Sequence, residues 1–216
     1  MKGYSLFFWF IILLTSAQKS TAQDMGKQNT SPRVQQVLSV LDIADTDEHS
    51  KVRNIISSYL DSLENVISVR KAKMKVTSQS SSNKELNDAR SQAVWDAAAG
   101  KLNKLHATFL GKLSSLLTTD QIEKVKDGMT EGLLQAEYRR FLELLPNINE
   151  QHKTQVMTYL VEARENAMDA ETKDMRQQWF IKYRGRANNY LAAAGYDLRK
   201  ATQELEERKT SNKKVQ

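Results

Sequence analysis

Apolar residues recur at steps of three and four along most of the chain, which is the period of an amphipathic helix. The clearest run follows Asp45, where eight apolar residues from Val52 to Ile67 fall on one broad helix face. No segment alternates apolar and polar residues for long enough to indicate a half-buried strand, and only two prolines occur in 216 residues. The pattern predicts an all-α fold, a single-domain helical bundle of about six or seven helices.

Polar residues mark where these helices begin and end. Ser31 followed by Pro32 predicts the first start, and Asp45 with Glu48 resembles a capping box at the second. Further caps are predicted at Thr118, Asn147 and Thr172, a stop near Met74, a start at Glu137, and a polar loop from Thr77 to Asn83. The helical domain is expected at 31–198, followed by a charged C-terminal tail, 199–216, that frays.

The first 22 residues have the pattern of a secretory signal peptide, with a flexible N-terminus expected at 23–30. Lys2 supplies a positive start, Leu6 to Leu14 is unbroken apolar sequence, and Ser20 to Ala22 are small residues suited to cleavage. Nine residues of helix reach only about 13 Å of a hydrocarbon core near 30 Å, so no membrane span is expected after cleavage. Cleavage would release about 194 of the 216 residues as a periplasmic or secreted protein.

The amino-acid composition excludes several classes of chemistry. The absence of cysteine excludes disulfides, thiolate catalysis and iron–sulfur clusters. Loss of Lys2 and Lys19 with the leader lowers the formal net charge from +6 to +4, and this mild excess, with export, argues against a nucleic-acid partner. No phosphate loop or dinucleotide fingerprint is present, and the three histidines lack ligand-like spacing. Neither a cofactor nor a metal site is therefore expected.

Candidate ligand-binding side chains concentrate on the helix that follows Thr172. They share one face or lie beside it, and they are Trp179, Tyr183, Arg186 and Tyr190, with Lys182 and Asn189 alongside. Aromatic faces stack on the C–H surfaces of sugar rings, while basic and amide groups bond hydroxyls or carboxylates. The face suits a glycan or a uronate; the alternative is that its aromatics belong to the core and its bases to the rim.

A second candidate group lies on the preceding helix. Glu165 and Asp169 are one turn apart beside Arg164, and two carboxylates could serve as the acid and base of glycoside hydrolysis. A surface network of ion pairs is the alternative reading of the same residues. Lys126 and Tyr138 are further candidates for ligand binding.

Several longer motifs resemble a known family. They are KDGMT at Lys126 to Thr130, EARENAMDA at Glu162 to Ala170, WFIKYRGRANNYL at Trp179 to Leu191, and GYDL at Gly195 to Leu198. The chain is similar to a bacterial family of exported proteins, domain of unknown function family 3826. The resemblance implies an exported protein that binds glycans during polysaccharide use, with or without processing them. Two departures imply an altered ligand site: Glu131 replaces an expected aromatic residue, and Arg176 to Gln178 replaces an expected Lys-His pair.

One short motif suggests a different function. LTTDQ, from Leu117 to Gln121, resembles the L-T-x-x-Q pattern of small helical periplasmic chaperones, which cradle unfolded clients on a concave helical surface. The same residues also spell a helix cap. A chaperone-like protein is therefore the alternative to a glycan-binding one, and the sequence leaves the oligomeric state open.

Overall fold

The structure, a computed structural model, describes residues 31–78 and 83–213, and the all-α prediction is confirmed for this part of the chain. Its eight helices are α1 (Pro32–Leu38), α2 (Thr46–Ser78), α3 (Lys84–Ser114), α4 (Thr119–Met129), α5 (Leu133–Leu144), α6 (Glu150–Met168), α7 (Lys173–Ala193) and α8 (Leu198–Lys213). Within the described ranges, no helix combines the length and apolar character needed to cross a bilayer. The expected signal peptide and the 23–30 segment lie outside the described residues.

Side-chain caps fix most of the helix starts where the sequence places them. Ser31 and Thr172 each accept a hydrogen bond from the backbone N–H three residues on, and Thr118 takes part in a complete capping box. The start of α6 was predicted two residues too early, because its cap is Asn149 rather than Asn147. The difference arises because a backbone turn follows the proline before the helix begins.

The other boundaries differ from prediction by about a turn. α2 continues to Ser78 instead of stopping near Met74, so the expected loop shortens to the few residues between Ser78 and Lys84, of which 79–82 lie outside the described part. α5 begins at Leu133, one turn before Glu137. Such shifts are common where polar residues near a helix end can also extend it.

The described part of the C-terminal tail is helical. α8 runs from Leu198 to Lys213, which adds the eighth helix to a predicted six or seven. Ala201 is buried against the core, and the Arg208 guanidinium donates a hydrogen bond to the backbone carbonyl of Glu143 at 2.7 Å. The charged composition concealed the helix because few residues of α8 face the protein.

Two hydrophobic clusters form the core. One is built from α1 to α4 and centres on side chains such as Ile56 and Phe109; the other is built from α5 to α8 around Leu160 and Phe180. α6 joins them, since its last residue, Met168, is buried in the first cluster while the rest of its apolar face belongs to the second. The helix pairs α2–α3 and α6–α7 lie on either side of the cavity described next.

Candidate functional site

A cavity of about 690 Å³ lies between the α2–α3 pair and the α6–α7 pair, within the usual size range of small-molecule sites. All four helices and the short α6–α7 link contribute to its wall. The lining side chains that carry charge, amides or indole rings are Arg70, Trp95, Asn103, His106, Glu165, Asn166, Asp169, Glu171, Gln178, Trp179 and Lys182.

His106 joins the two candidate carboxylates at one side of this cavity. Its Nδ1 lies 3.1 Å from Asp169 Oδ1, and its Nε2 lies 3.3 Å from Glu165 Oε2. The carboxylates come from the end of α6, one turn apart, and α3 brings the imidazole between them. The three side chains form the cluster that we call the His106 bridge.

Hydrogen bonding sets the charge of this bridge. Bonds to Asp169 and then Glu165 raise the pKa of His106 to about 9, although burial acts to lower it. Burial acts to raise the pKa of Glu165, but hydrogen bonds from His106 and Lys126 outweigh that effect and lower the pKa to about 2. At neutral pH the imidazole is therefore a cation that donates from both nitrogens, and Glu165 is ionised.

Lys126 and Tyr59, which lie outside the cavity lining, bond the carboxylates of Glu165 and Asp169. Lys126 Nζ lies 3.1 Å from Glu165 Oε1, and the Tyr59 hydroxyl donates to Asp169 Oδ1. Tyr59 is itself stacked on Phe109, with ring centroids 4.0 Å apart. Burial and the Asp169 carboxylate raise the pKa of Tyr59, so the phenol keeps its proton and stays a donor. The carboxylates are thus fixed before any ligand arrives.

The two oxygens of Asp169 differ in their hydrogen bonding. Tyr59 and His106 both bond its Oδ1, and among the described residues nothing bonds its Oδ2. Both oxygens of Glu165 are already engaged, Oε1 by Lys126 and Oε2 by His106. The acceptor that this part of the wall offers is therefore Asp169 Oδ2.

Two tryptophans from different helices line the same cavity. Trp95 on α3 is 46% exposed, and Trp179 on α7 is partly buried. The Arg70 guanidinium lies 4.2 Å from the centroid of the Trp95 ring, and Lys182 Nζ lies 4.8 Å from that of Trp179. Each indole is thereby held in place by a cation over its face.

The structure divides the aromatic face predicted on α7. Trp179 and Lys182 line the cavity, but Tyr183 lies in the core beside it, 7% exposed. Arg186 stacks on Tyr183 at 4.7 Å and lies outside the cavity lining, 3.6 Å from Glu162. Only the N-terminal half of α7 reaches the cavity, because the helix passes on into the second core cluster.

The remaining predicted ligand residues lie elsewhere. Asn189 is exposed, and Tyr190 packs edge-on against His152 with centroids 5.5 Å apart. Tyr138 lines a separate shallow groove with residues of α6. Arg164 is 3% exposed and forms ion pairs with the α4 carboxylates of Glu123 and Asp127, while Lys126 supports Glu165 from behind the wall.

Sequence reasoning missed Tyr59, Arg70, Trp95 and His106, and it also missed the polar lining residues Asn103, Asn166, Glu171 and Gln178. The two partners of His106 are 59 and 63 residues away along the chain, so no local spacing in the sequence indicates them. Trp95 did offer a signal, because a tryptophan in an alanine-rich helix otherwise dominated by polar residues is unusual. Arg70 and Tyr59 resemble ordinary residues of a long amphipathic helix.

The described residues include all three histidines of the sequence, His49, His106 and His152. No group of three His, Asp or Glu side chains among the described residues is arranged to hold an ion.

Comparison with known proteins identifies a family but no function. No curated protein matches the chain. The family described as "Protein of unknown function (DUF3826)" matches residues 27–211, which is most of the 216-residue sequence. That description names no ligand, so sugar binding stays a hypothesis. The chain belongs to the DUF3826 family.

Proposed function

We propose that this protein is exported and binds a glycan in the cavity between the α2–α3 and α6–α7 pairs, as part of polysaccharide use. The observation that carries the proposal is the presence of Trp95 and Trp179, from two helices, in one cavity with the pre-positioned carboxylate of Asp169. Flat apolar surfaces beside fixed polar groups are what a sugar ring needs, because its C–H face is apolar and its edge carries hydroxyls.

The polar lining matches the edge of such a ring. A sugar hydroxyl is both donor and acceptor, and Asp169 Oδ2 can accept a hydrogen bond from it. The amide groups of Asn103, Asn166 and Gln178 lie in the same lining, and each offers both donors and an acceptor. A ligand with several hydroxyls can therefore be bonded from more than one side.

The charge of Glu165 rules it out as the proton donor of glycoside hydrolysis at neutral pH. Glycoside cleavage by two carboxyl groups requires one of them to carry a proton at working pH, usually through a raised pKa. Glu165 has the opposite shift, to about 2, and both nitrogens of His106 are committed to carboxylates. Glu165 and Asp169 are therefore proposed as binding and positioning groups.

The LTTDQ motif, which suggested a chaperone, has a structural explanation. Thr118 and Gln121 form the capping box of α4. The Thr118 hydroxyl accepts a hydrogen bond from the Gln121 backbone N–H, and the Gln121 side-chain oxygen accepts one from the Thr118 backbone N–H. A cap accounts for both polar positions of the L-T-x-x-Q pattern without a client-binding role. The two tryptophans beside Asp169 are the reason for preferring the glycan.

Calorimetric titration with a panel of plant and microbial oligosaccharides tests the proposal. Trp95→Ala and Trp179→Ala should each weaken binding by about tenfold, because each removes one stacking surface. Ile181→Ala is the matched control, since Ile181 is an exposed apolar residue of α7 outside the cavity lining. Absence of binding to every oligosaccharide, or affinities that neither tryptophan change alters, would refute it.

A further inference from the structure

The charged side chains that line the cavity are paired with a single exception. Arg70 lies 3.6 Å from Glu171, which Lys71 also contacts. His106 is shared between Glu165 and Asp169. Among the described residues, Lys182 has no carboxylate within 4.0 Å, although it lines the same wall.

The position of Lys182 relative to Trp179 restricts what it can meet. The two residues are three apart on α7 and so lie on one side of the helix, with Nζ 4.8 Å from the indole centroid. A sugar ring stacked on the free part of Trp179 would place its edge substituents beside this ammonium group. The ammonium has three donors and no acceptor, so it favours an anionic substituent over a hydroxyl.

We infer that the glycan is acidic and that Lys182 binds the carboxylate of a uronate residue stacked on Trp179, an inference that rests on the proposed function. A uronate carboxylate is attached directly to the ring, so it lies at the ring edge when the ring face is stacked. Asp169 Oδ2 and the cavity amides then bond hydroxyls of the same or the next sugar. The negative carboxylates at the His106 bridge do not oppose this arrangement, because His106 and Lys126 neutralise them.

A matched pair of ligands tests the inference. The affinities of a galacturonate trisaccharide and a galactose trisaccharide with the same linkage are measured at low ionic strength, where screening is weak. The acidic trisaccharide should bind about tenfold more tightly. Lys182→Gln should bring the ratio of the two affinities close to one, whereas Lys182→Arg, which keeps the charge, should preserve the preference.

Lys200→Gln provides the control, because Lys200 is an exposed lysine of α8 outside the cavity, and it should leave the affinity ratio unchanged. Equal affinities for the two trisaccharides, or a preference that survives Lys182→Gln, would overturn the inference while leaving glycan binding intact. Tighter binding of a sulfated galactose trisaccharide than of the uronate would also overturn it. Failure of every trisaccharide to bind would instead count against the proposed function itself.

Discussion

At the scale of single residues, the His106 bridge is the feature with the strongest electrostatic consequence. One imidazole connects two carboxylates of α6, and Lys126 and Tyr59 complete their hydrogen bonds from behind. Each of these groups depends on its neighbours for its charge or its orientation. Protonation of His106 should therefore be coupled to folding.

The pKa of His106 is raised from 6.5 to about 9, so its protonated form stabilises the folded state. That contribution is complete below about pH 6.5 and is lost as the pH rises through about 9. We expect the free energy of unfolding to fall by ~1–3 kcal/mol over this window, allowing for partial exposure of the ring. Urea denaturation at several pH values should show the decline for the natural chain and a much smaller one for His106→Gln.

His49→Gln is the control for this experiment, because His49 lies near the start of α2, away from the cavity lining, and should keep the alkaline decline. The same slope for His106→Gln and the natural chain would contradict the assignment. Glu165 has the opposite sign: its lowered pKa makes a contribution that is present above about 4.5 and lost as the pH falls towards 2.

At the scale of helices, the junction between α4 and α5 has an unusual backbone. Glu131 and Gly132 are consecutive residues in the left-handed region, with φ of 57° and 69°. The Glu131 carboxylate lies 2.7 Å from both Lys173 and Arg176, which ties the junction to α7. Glu131 and Arg176 are also positions at which the sequence departs from the expected family motif. These two positions contact each other in the folded chain.

Glycine substitutions with opposite expected signs test this backbone geometry. Gly132→Ala should destabilise the fold by ~1 kcal/mol, because a Cβ is unfavourable at positive φ even though no atom lies within 4 Å of it. Gly111→Ala, inside α3 and equally unobstructed, should stabilise by ~0.5–1 kcal/mol through helix propensity. Thermal unfolding followed by circular dichroism measures both; a change of the same sign for both variants would contradict the interpretation.

At the scale of the whole molecule, α6 connects the two core clusters. Its buried Arg164 forms ion pairs with Glu123 and Asp127 of α4, so a polar contact accompanies the burial of Met168 at the same boundary. The pKa of Glu123 is lowered even though burial raises it, because the Arg164 guanidinium favours the carboxylate. The two halves are therefore joined by charge as well as by apolar packing.

Arg164→Ala should cost ~2–4 kcal/mol of unfolding free energy, because it leaves Asp127 without its ion-pair partner, leaves Glu123 with Lys126 alone, and opens space in the core. Arg186→Ala should change it by less than ~0.5 kcal/mol, since that arginine and Glu162 are both about half exposed. Urea denaturation followed by circular dichroism compares the two. Equal effects would contradict the assignment of Arg164 to the core and Arg186 to the surface.

The sequence by itself determined seven of the eight described helices, most of their caps and the one-turn spacing of Glu165 and Asp169. These features depend on residues three or four apart, whose interactions are present as soon as a helix forms. Thr118 and Thr172 illustrate this, because each bonds a backbone N–H three residues away. Because these interactions are local, the sequence predicts them without knowledge of the fold.

Only the tertiary structure decided which of the candidate side chains meet. Trp95 and His106 join Glu165, Asp169 and Trp179 because α3 faces the α6–α7 pair across the cavity, and no periodicity along the chain encodes that approach. Packing of α7 against α5, α6 and α8 buries Tyr183 in the core and leaves Arg186 at the surface, although both share a helix face with Trp179. A helix face is set by sequence spacing, but its neighbours are set by long-range packing, which is why the cavity became visible only in the folded chain.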